Sequence, residues 1–93
     1  DTAILYRLAL LYERIQDVRN CRKYMTRCVK AEQNTDGLVT EETAKARLWL
    51  ARYECKNKNF TEAYNYAVGV THGTSQEIEE ARTIARECRR RME

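Results

Sequence analysis

A short pattern of residues occurs twice in this chain of 93 residues, at a constant separation of 42 positions. The matching residues are Leu8-Ala9 with Leu50-Ala51, Val18 with Phe60, and Cys21 with Ala63. Repetition at a fixed period is typical of proteins in which similar units of secondary structure stack side by side. Several of the repeated residues are small, as closely approaching helices require. The repeat therefore favours two similar helical units packed against each other.

The spacing of apolar residues predicts helices along most of the chain. The sequence contains no proline and three glycines, and apolar residues recur every three or four positions. No segment alternates between apolar and polar residues as a strand would. Five helices are predicted, over about residues 2–15, 18–32, 41–57, 60–72 and 75–92.

Turn and cap residues mark the ends of these helices. The predicted turns are Gln16-Asp17, Asn34–Gly37 and Lys56–Asn59. Gly73 is expected to end the fourth helix in the left-handed conformation that glycine adopts without steric cost. Thr40 is the expected N-terminal cap of the third helix, and Thr74 with Glu77 is expected to form a capping box at the start of the fifth.

Both copies of the pattern resemble the tetratricopeptide repeat, a helical hairpin with small and large residues at fixed positions. The first copy matches through Leu5-x2-Leu8-Ala9-x2-Tyr12 and Cys21-x3-Met25, and the second through Leu50-Ala51, Phe60 and Ala63-x3-Ala67. Glu54 stands where the second copy should have the tyrosine of the repeat. The resemblance implies an all-α superhelix of antiparallel helical hairpins. We expect residues 1–93 to form one such domain within a longer solenoid, with repeats at about 2–33 and 40–72 and a terminal capping helix at about 75–92.

At finer grain, the chain resembles the C-terminal repeats of the tetratricopeptide-repeat subunits of the anaphase-promoting complex. The resemblance rests on LALLYERI, on EETAKARLWLARYECKNKNFTEAY after a long linker, and on EIEEAR. It implies a non-catalytic scaffold subunit of a multi-subunit ubiquitin ligase that acts in mitosis, in the nucleus or the cytoplasm. The implied partners are proteins, either peptide segments or neighbouring subunits. A tetratricopeptide-repeat adaptor of another assembly is the alternative.

Composition argues against several other classes of protein. Lys and Arg number 17 against 14 Asp and Glu, and the resulting net charge of +3 is too small to indicate nucleic-acid binding. No apolar run approaches the roughly 20 residues that span a bilayer, so no membrane association is expected. The four cysteines lack metal-ligand spacing and suit a reducing compartment. We expect no metal, no cofactor and no catalytic residue, because no nucleophile, phosphate loop or carboxylate pair is recognisable.

The candidate partner-binding site follows from the geometry of stacked hairpins, in which the first helix of each pair lines a concave groove. Residues of the first and third helices that lie off the packing stripe are expected to face this groove. They are Tyr6, Leu10 and Glu13 in the first helix and Lys45, Leu48, Arg52 and Lys56 in the third. Together they would offer an apolar shelf with three cations to a peptide that carries carboxylates. An ordinary solvated face is an equal alternative.

Three further features carry separate expectations. The arginines of residues 86–91 are expected to complement the dipole at the end of the fifth helix, and an RNA-binding surface is the alternative. Trp49 is expected to fill space between the repeats rather than to centre a binding site. Ile4 and Leu11 lie on the outer stripe of the first helix, so the isolated chain is expected to self-associate.

Overall fold

Five α-helices make up the computed structural model, which describes residues 1–32 and 39–93. They are α1 (Thr2–Arg14), α2 (Val18–Ala31), α3 (Glu41–Lys56), α4 (Phe60–Val68) and α5 (Ser75–Met92). Neither of the two described ranges contains a β-strand. The all-α fold class predicted from the sequence is therefore confirmed. The predicted turn at Asn34–Gly37 lies outside the described residues.

Reciprocal side-chain bonds start α3 and α5. The hydroxyl of Thr40 accepts a hydrogen bond from the Thr43 amide at 3.2 Å, and the Thr40 amide donates to the Thr43 hydroxyl at 3.1 Å. Thr74 and Glu77 form the equivalent pair of bonds at 3.1 and 2.9 Å. Each exchange satisfies backbone amides that have no partner within the helix. The caps predicted at Thr40 and Thr74 are confirmed.

The α1–α2 and α3–α4 turns have the same backbone geometry. Gln16 and Lys58, which are 42 residues apart, both adopt left-handed conformations, with φ of 62° and 65°. Equivalent backbone bonds close the two turns, Asp17 N to Tyr12 O at 2.9 Å and Asn59 N to Glu54 O at 2.8 Å. These donors and acceptors are also 42 positions apart. The turn geometry therefore agrees with the repeat spacing found in the sequence.

Small side chains lie where the helices cross. The four small residues of the repeated pattern are 0% exposed, namely Ala9, Cys21, Ala51 and Ala63. Ala9 and Cys21 share a core cluster with Met25 and other buried residues, and aromatic side chains pack around it. Interiors are close-packed, so small residues at these points let the helix backbones approach each other. The burial expected for the repeated small residues is confirmed.

The fourth helix is shorter than the sequence predicted. It ends at Val68, with Gly69 as its C-terminal cap, rather than at His72. Val70 is only 6% exposed and packs in a second core cluster with Leu48. The chain leaves the helical path after Val68 and brings Val70 into this cluster. Tertiary packing thus overrode a local pattern that would have allowed three or four more helical residues.

Gly73 has a different role from the one predicted. Its φ of 130° is positive, but it lies in the link that enters α5 and does not cap α4. A Cβ atom at this position would lie 2.9 Å from the Glu77 carboxylate, which is occupied in capping α5. Glycine is therefore needed here for the approach to the α5 cap.

An ion pair joins the end of α2 to α3. Arg47 binds Glu32 through both carboxylate oxygens, with Nη1 donating to Oε1 at 2.9 Å and Nη2 donating to Oε2. The Thr43 hydroxyl also donates to Glu32 Oε1, at 2.9 Å. The two charged side chains are 16% and 10% exposed. Hydrogen bonding from Arg47 lowers the pKa of the Glu32 carboxyl, and the pair holds the second hairpin against the first.

The third helix is central to the packing, because it contacts α1, α2, α4 and α5. α1 and α2 form one hairpin and α3 and α4 form another, and α5 packs against the second. This arrangement leaves one side of α3 facing the space between α1 and α5. Among the described helices, none is both long enough and apolar enough to cross a membrane.

Candidate partner-binding groove

A cavity of about 310 Å³ opens between α1, α3 and α5. It contains six of the seven residues that the sequence placed in the groove. These are Tyr6, Leu10 and Glu13 from α1 and Lys45, Leu48 and Arg52 from α3. Met25, Trp49 and Glu77 complete its lining. The helical spacing therefore brought residues of two repeats to one concave surface.

A second depression of about 450 Å³ adjoins the first and contains Lys56, the seventh predicted residue. The two depressions share Glu13, Trp49 and Arg52 in their linings. Val18, Tyr53 and Asn57 complete the second one. We refer to the two depressions together as the concave groove. The groove runs from the start of α3 to the α3–α4 turn.

Trp49 forms the apolar floor where the two depressions meet. Its indole Nε1 donates to Glu13 Oε2 at 2.7 Å, a bond that links α3 to α1. Its ring stacks on Tyr53, with centroids 5.3 Å apart and planes 8° from parallel. The guanidinium of Arg22 lies 5.2 Å from the centroid of the Tyr53 ring. Because these contacts fix the rings, the groove offers a preformed aromatic shelf, and Val18, which is 47% exposed, extends it.

The cations of the groove differ in their ion-pair partners. Arg52 binds both oxygens of Glu80 on α5, with Nη2 donating to Oε1 at 2.6 Å and Nε donating to Oε2. Hydrogen bonding from Arg52 lowers the pKa of the Glu80 carboxyl. Lys45 lies 2.9 Å from Glu41 one helical turn earlier. These pairs are exposed, and exposed pairs contribute little to stability, so an incoming carboxylate could exchange with either acid.

Lys56 has no carboxylate within ion-pair distance among residues 1–32 and 39–93. It is exposed at the end of α3, beside the aromatic shelf. A Lys ammonium donates up to three hydrogen bonds and can follow a ligand carboxylate on its flexible stem. Lys56 is therefore the groove cation most readily available to a ligand.

Two predicted groove residues are more buried than a direct contact with a partner would suggest. Leu48 is 2% exposed and packs with Val70 and Ala81, beneath α5. Leu48 was predicted to be an exposed contact for a partner, and this burial does not agree with that prediction. The Leu48 side chain instead lies behind the groove wall. Tyr6 is half-buried, and burial raises the pKa of its phenol. Both side chains serve mainly to shape the cavity.

Trp49, Tyr53 and Val18 are the groove residues that the sequence interpretation missed. Trp49 was assigned to packing between repeats, and it does make that contact through Glu13. A signal was present, because Lys45, Trp49 and Arg52 follow the same three-and-four spacing as the predicted stripe. Leu48 and Trp49 are neighbours in sequence, and the period alone could not decide which of them faces the groove.

The α5 arginines, considered above as an RNA-binding surface, are largely occupied by acids on the same helix. Arg86 lies 3.8 Å from Glu79, and Arg91 donates to Glu87 at 3.1 Å. Arg90 lies 3.7 Å from Glu87. Local pairing leaves less positive charge for phosphate groups. The arrangement favours the expected role of these arginines at the C-terminal end of the helix.

The described residues offer little that could perform catalysis. Burial raises the pKa of three cysteine thiols to about 11, namely Cys21, Cys28 and Cys88. Since the thiolate is the reactive form, such thiols are poor nucleophiles at neutral pH. All four cysteines are unpaired. No group of three or more His, Cys, Asp or Glu side chains in the described ranges is placed to hold a metal ion.

Comparison with known proteins identifies a relative of this chain. No protein-family model matches the chain. Over 92 residues, or 99% of its length, the chain is 59% identical to the anaphase-promoting complex subunit CDC23 of Saccharomyces cerevisiae. The matched segment makes up 15% of that subunit. The matched segment therefore spans both hairpins and α5.

Proposed function

The chain is related to a segment of CDC23, a subunit of the anaphase-promoting complex, and from this premise we propose that it is a non-catalytic interaction segment of such a complex. Identity of 59% across almost the whole chain is the observation that carries the proposal. In this function residues 1–93 are two helical repeats and a terminal helix within a longer solenoid. The protein would act in the nucleus or cytoplasm as part of a ubiquitin ligase and would contribute no reacting group.

The concave groove is the proposed docking surface for a polypeptide segment of another subunit. Its shelf, formed by Trp49, Tyr53 and Val18, suits an apolar or aromatic side chain of the ligand. Arg52 and Lys56 border the shelf and suit a carboxylate close to that side chain. We therefore expect the ligand to carry an apolar anchor beside an acidic residue or a free C-terminal carboxylate.

Binding at this surface would use an exchange of carboxylates. Arg52 and Glu80 are 51% and 39% exposed, so water already screens their attraction. A ligand carboxylate that replaces Glu80 would keep the paired geometry of the guanidinium while its neighbour fills the shelf. The apolar contact would then supply most of the affinity, and the charges would orient the ligand.

Affinity capture with the intact protein tests this proposal. The double variant Lys45→Glu/Arg52→Glu and the single variant Lys56→Glu should each weaken partner binding, the double variant by more than tenfold, about 1.4 kcal/mol. Bound proteins would be identified by mass spectrometry, and affinities would be measured with the captured partner. The matched control is Arg82→Glu/Arg89→Glu, which reverses two exposed cations on α5, away from the groove.

The outcomes distinguish between the parts of the proposal. Loss of other subunits of the complex with the groove variants, and retention with the α5 control, would support it. Unchanged binding by both groove variants would remove the groove as the docking site. Recovery of the components of an unrelated assembly would instead favour an adaptor of that assembly. Thermal unfolding of each variant would show whether a loss of binding comes from a loss of structure.

A further inference from the structure

All the charged side chains of the second helix are positive. Its sequence VRNCRKYMTRCVKA contains five Lys and Arg residues and no Asp or Glu. All five are exposed and recur at spacings of three and four along one face, namely Arg19, Arg22, Lys23, Arg27 and Lys30. We call these five residues the α2 cationic face. Like charges at such spacings destabilise a helix, so folding alone does not account for this arrangement.

The charges of this face are largely unpaired. In the described part of the chain, Arg22 is the one member with a carboxylate within ion-pair distance, at 3.3 Å from the buried Glu54. The fifth helix gives the contrast, because Arg86 and Arg91 are paired with acids on their own helix. Within the described residues, three of the five α5 arginines therefore have a carboxylate partner on their own helix, whereas one of the five α2 cations has a carboxylate partner at all.

A shallow depression of about 430 Å³ lies along this face, between α2 and α4. The five cations line it together with Thr26 and Tyr66. The opposite side of α2 is anchored in the core by fully buried side chains, those of Cys21, Met25 and Cys28. Arg27 also rests over the Tyr24 ring, 5.3 Å from its centroid. The cations thus project from a rigid helix, and the depression that they line shares no residue with the concave groove.

We propose that the α2 cationic face docks an acidic segment of a partner protein, one rich in Asp or Glu. Charge complementarity carries this choice, since four cations that have no carboxylate at ion-pair distance in residues 1–32 and 39–93 converge on one depression that also offers two hydroxyl groups. The face extends over eleven residue steps, or about 16 Å of helix. A DNA-binding protein typically contacts about six to ten phosphates, whereas this face offers only five cations. An acidic polypeptide therefore suits its size better than a nucleic acid does.

A labelled peptide of ten alternating glutamates and alanines is the probe for this surface. Its binding to the intact protein would be followed by fluorescence polarisation at low and at physiological salt. Lys23→Glu/Arg27→Glu should weaken binding at least tenfold, and Lys23→Gln/Arg27→Gln should weaken it less. The control with the same change of net charge is Arg82→Glu/Arg89→Glu on the exposed side of α5, which should leave binding within about twofold of the wild type.

Every outcome bears on the proposal. Equal losses with the α2 and α5 variants would show a non-specific response to net charge and would overturn it. Tighter binding of a single-stranded DNA of ten nucleotides, lost in the same α2 variants, would assign the face to nucleic acid. The groove variant Lys45→Glu/Arg52→Glu should still bind the acidic peptide, so failure of either surface is distinguishable from failure of the other. The two α2 positions are exposed, and a matching thermal unfolding curve would confirm that each variant is folded.

Discussion

Replacing Arg47 with methionine should destabilise the chain strongly, because it leaves the Glu32 carboxylate without its bidentate partner. Breaking a fully buried ion pair by removing one member costs about 3–5 kcal/mol. Here the side chains are 16% and 10% exposed, and the Thr43 hydroxyl still donates to Glu32 at 2.9 Å. We therefore expect the free energy of unfolding to fall by about 2–3 kcal/mol, at or just below the lower limit of that range. For a chain of this length the melting temperature should fall by about 10–20 °C.

A double variant separates the ion pair from general damage to the packing. In Glu32→Met/Arg47→Met both charges are absent, and Thr43 keeps the Thr40 carbonyl oxygen as an acceptor at 3.0 Å. Its stability should return to within about 1 kcal/mol of the wild type, since apolar replacement of a buried pair is often neutral. Urea unfolding followed by circular dichroism measures all three free energies. A loss below about 0.5 kcal/mol in Arg47→Met, or a double variant no better than the single one, would refute the reasoning.

The pH dependence gives an independent check. The pKa of Glu32 is lowered in the folded state by Arg47, so this interaction contributes fully above the ordinary glutamate pKa. Its contribution is lost as the pH falls through the lower, folded-state value. The difference in stability between the wild type and Arg47→Met should therefore be constant near pH 7 and shrink below about pH 4.5. A difference that grows with acidification would contradict this sign.

Three further predictions concern other parts of the molecule. Gly69→Ala should lower the free energy of unfolding by about 1 kcal/mol, because the new Cβ atom would lie 3.0 Å from Cδ of Arg47, which Glu32 holds in place. In an Arg47→Ala background the same change should raise the free energy of unfolding by about 0.4–1 kcal/mol. Equal effects in both backgrounds on urea unfolding would contradict the contact. In the native chain iodoacetamide should label Cys55 well before the buried thiols, and peptide mapping that finds rapid labelling of those thiols would disprove their burial. Ile4→Glu/Leu11→Glu should reduce self-association of the isolated chain, because these two apolar side chains are 56% and 55% exposed. Sedimentation velocity measures the association, and a wild-type chain that is monomeric at high concentration would refute this expectation.

Much of the helical framework could be predicted because its signals are local. Apolar spacing and cap residues act within one or two helical turns, so Thr40 and Thr74 could be identified as caps without knowledge of the tertiary fold. The 42-residue repeat also indicated which small residues would be buried. Helix periodicity could also bring six of the predicted residues to one depression, since positions three or four apart share a face whatever that face contacts, and binding of a partner there stays a prediction.

The tertiary structure decided what each of these faces meets. The end of α4 depends on Val70 reaching the core between α3 and α5, and the burial of Leu48 depends on how α5 lies across α3. The pairings of Arg47 with Glu32 and of Arg52 with Glu80 span 15 and 28 residues and follow no local period. Such contacts depend on the position and angle at which two helices cross. A sequence period specifies the direction of a side chain around its own helix, but only the packed neighbours determine whether that direction leads to solvent, to a counter-charge or to the core.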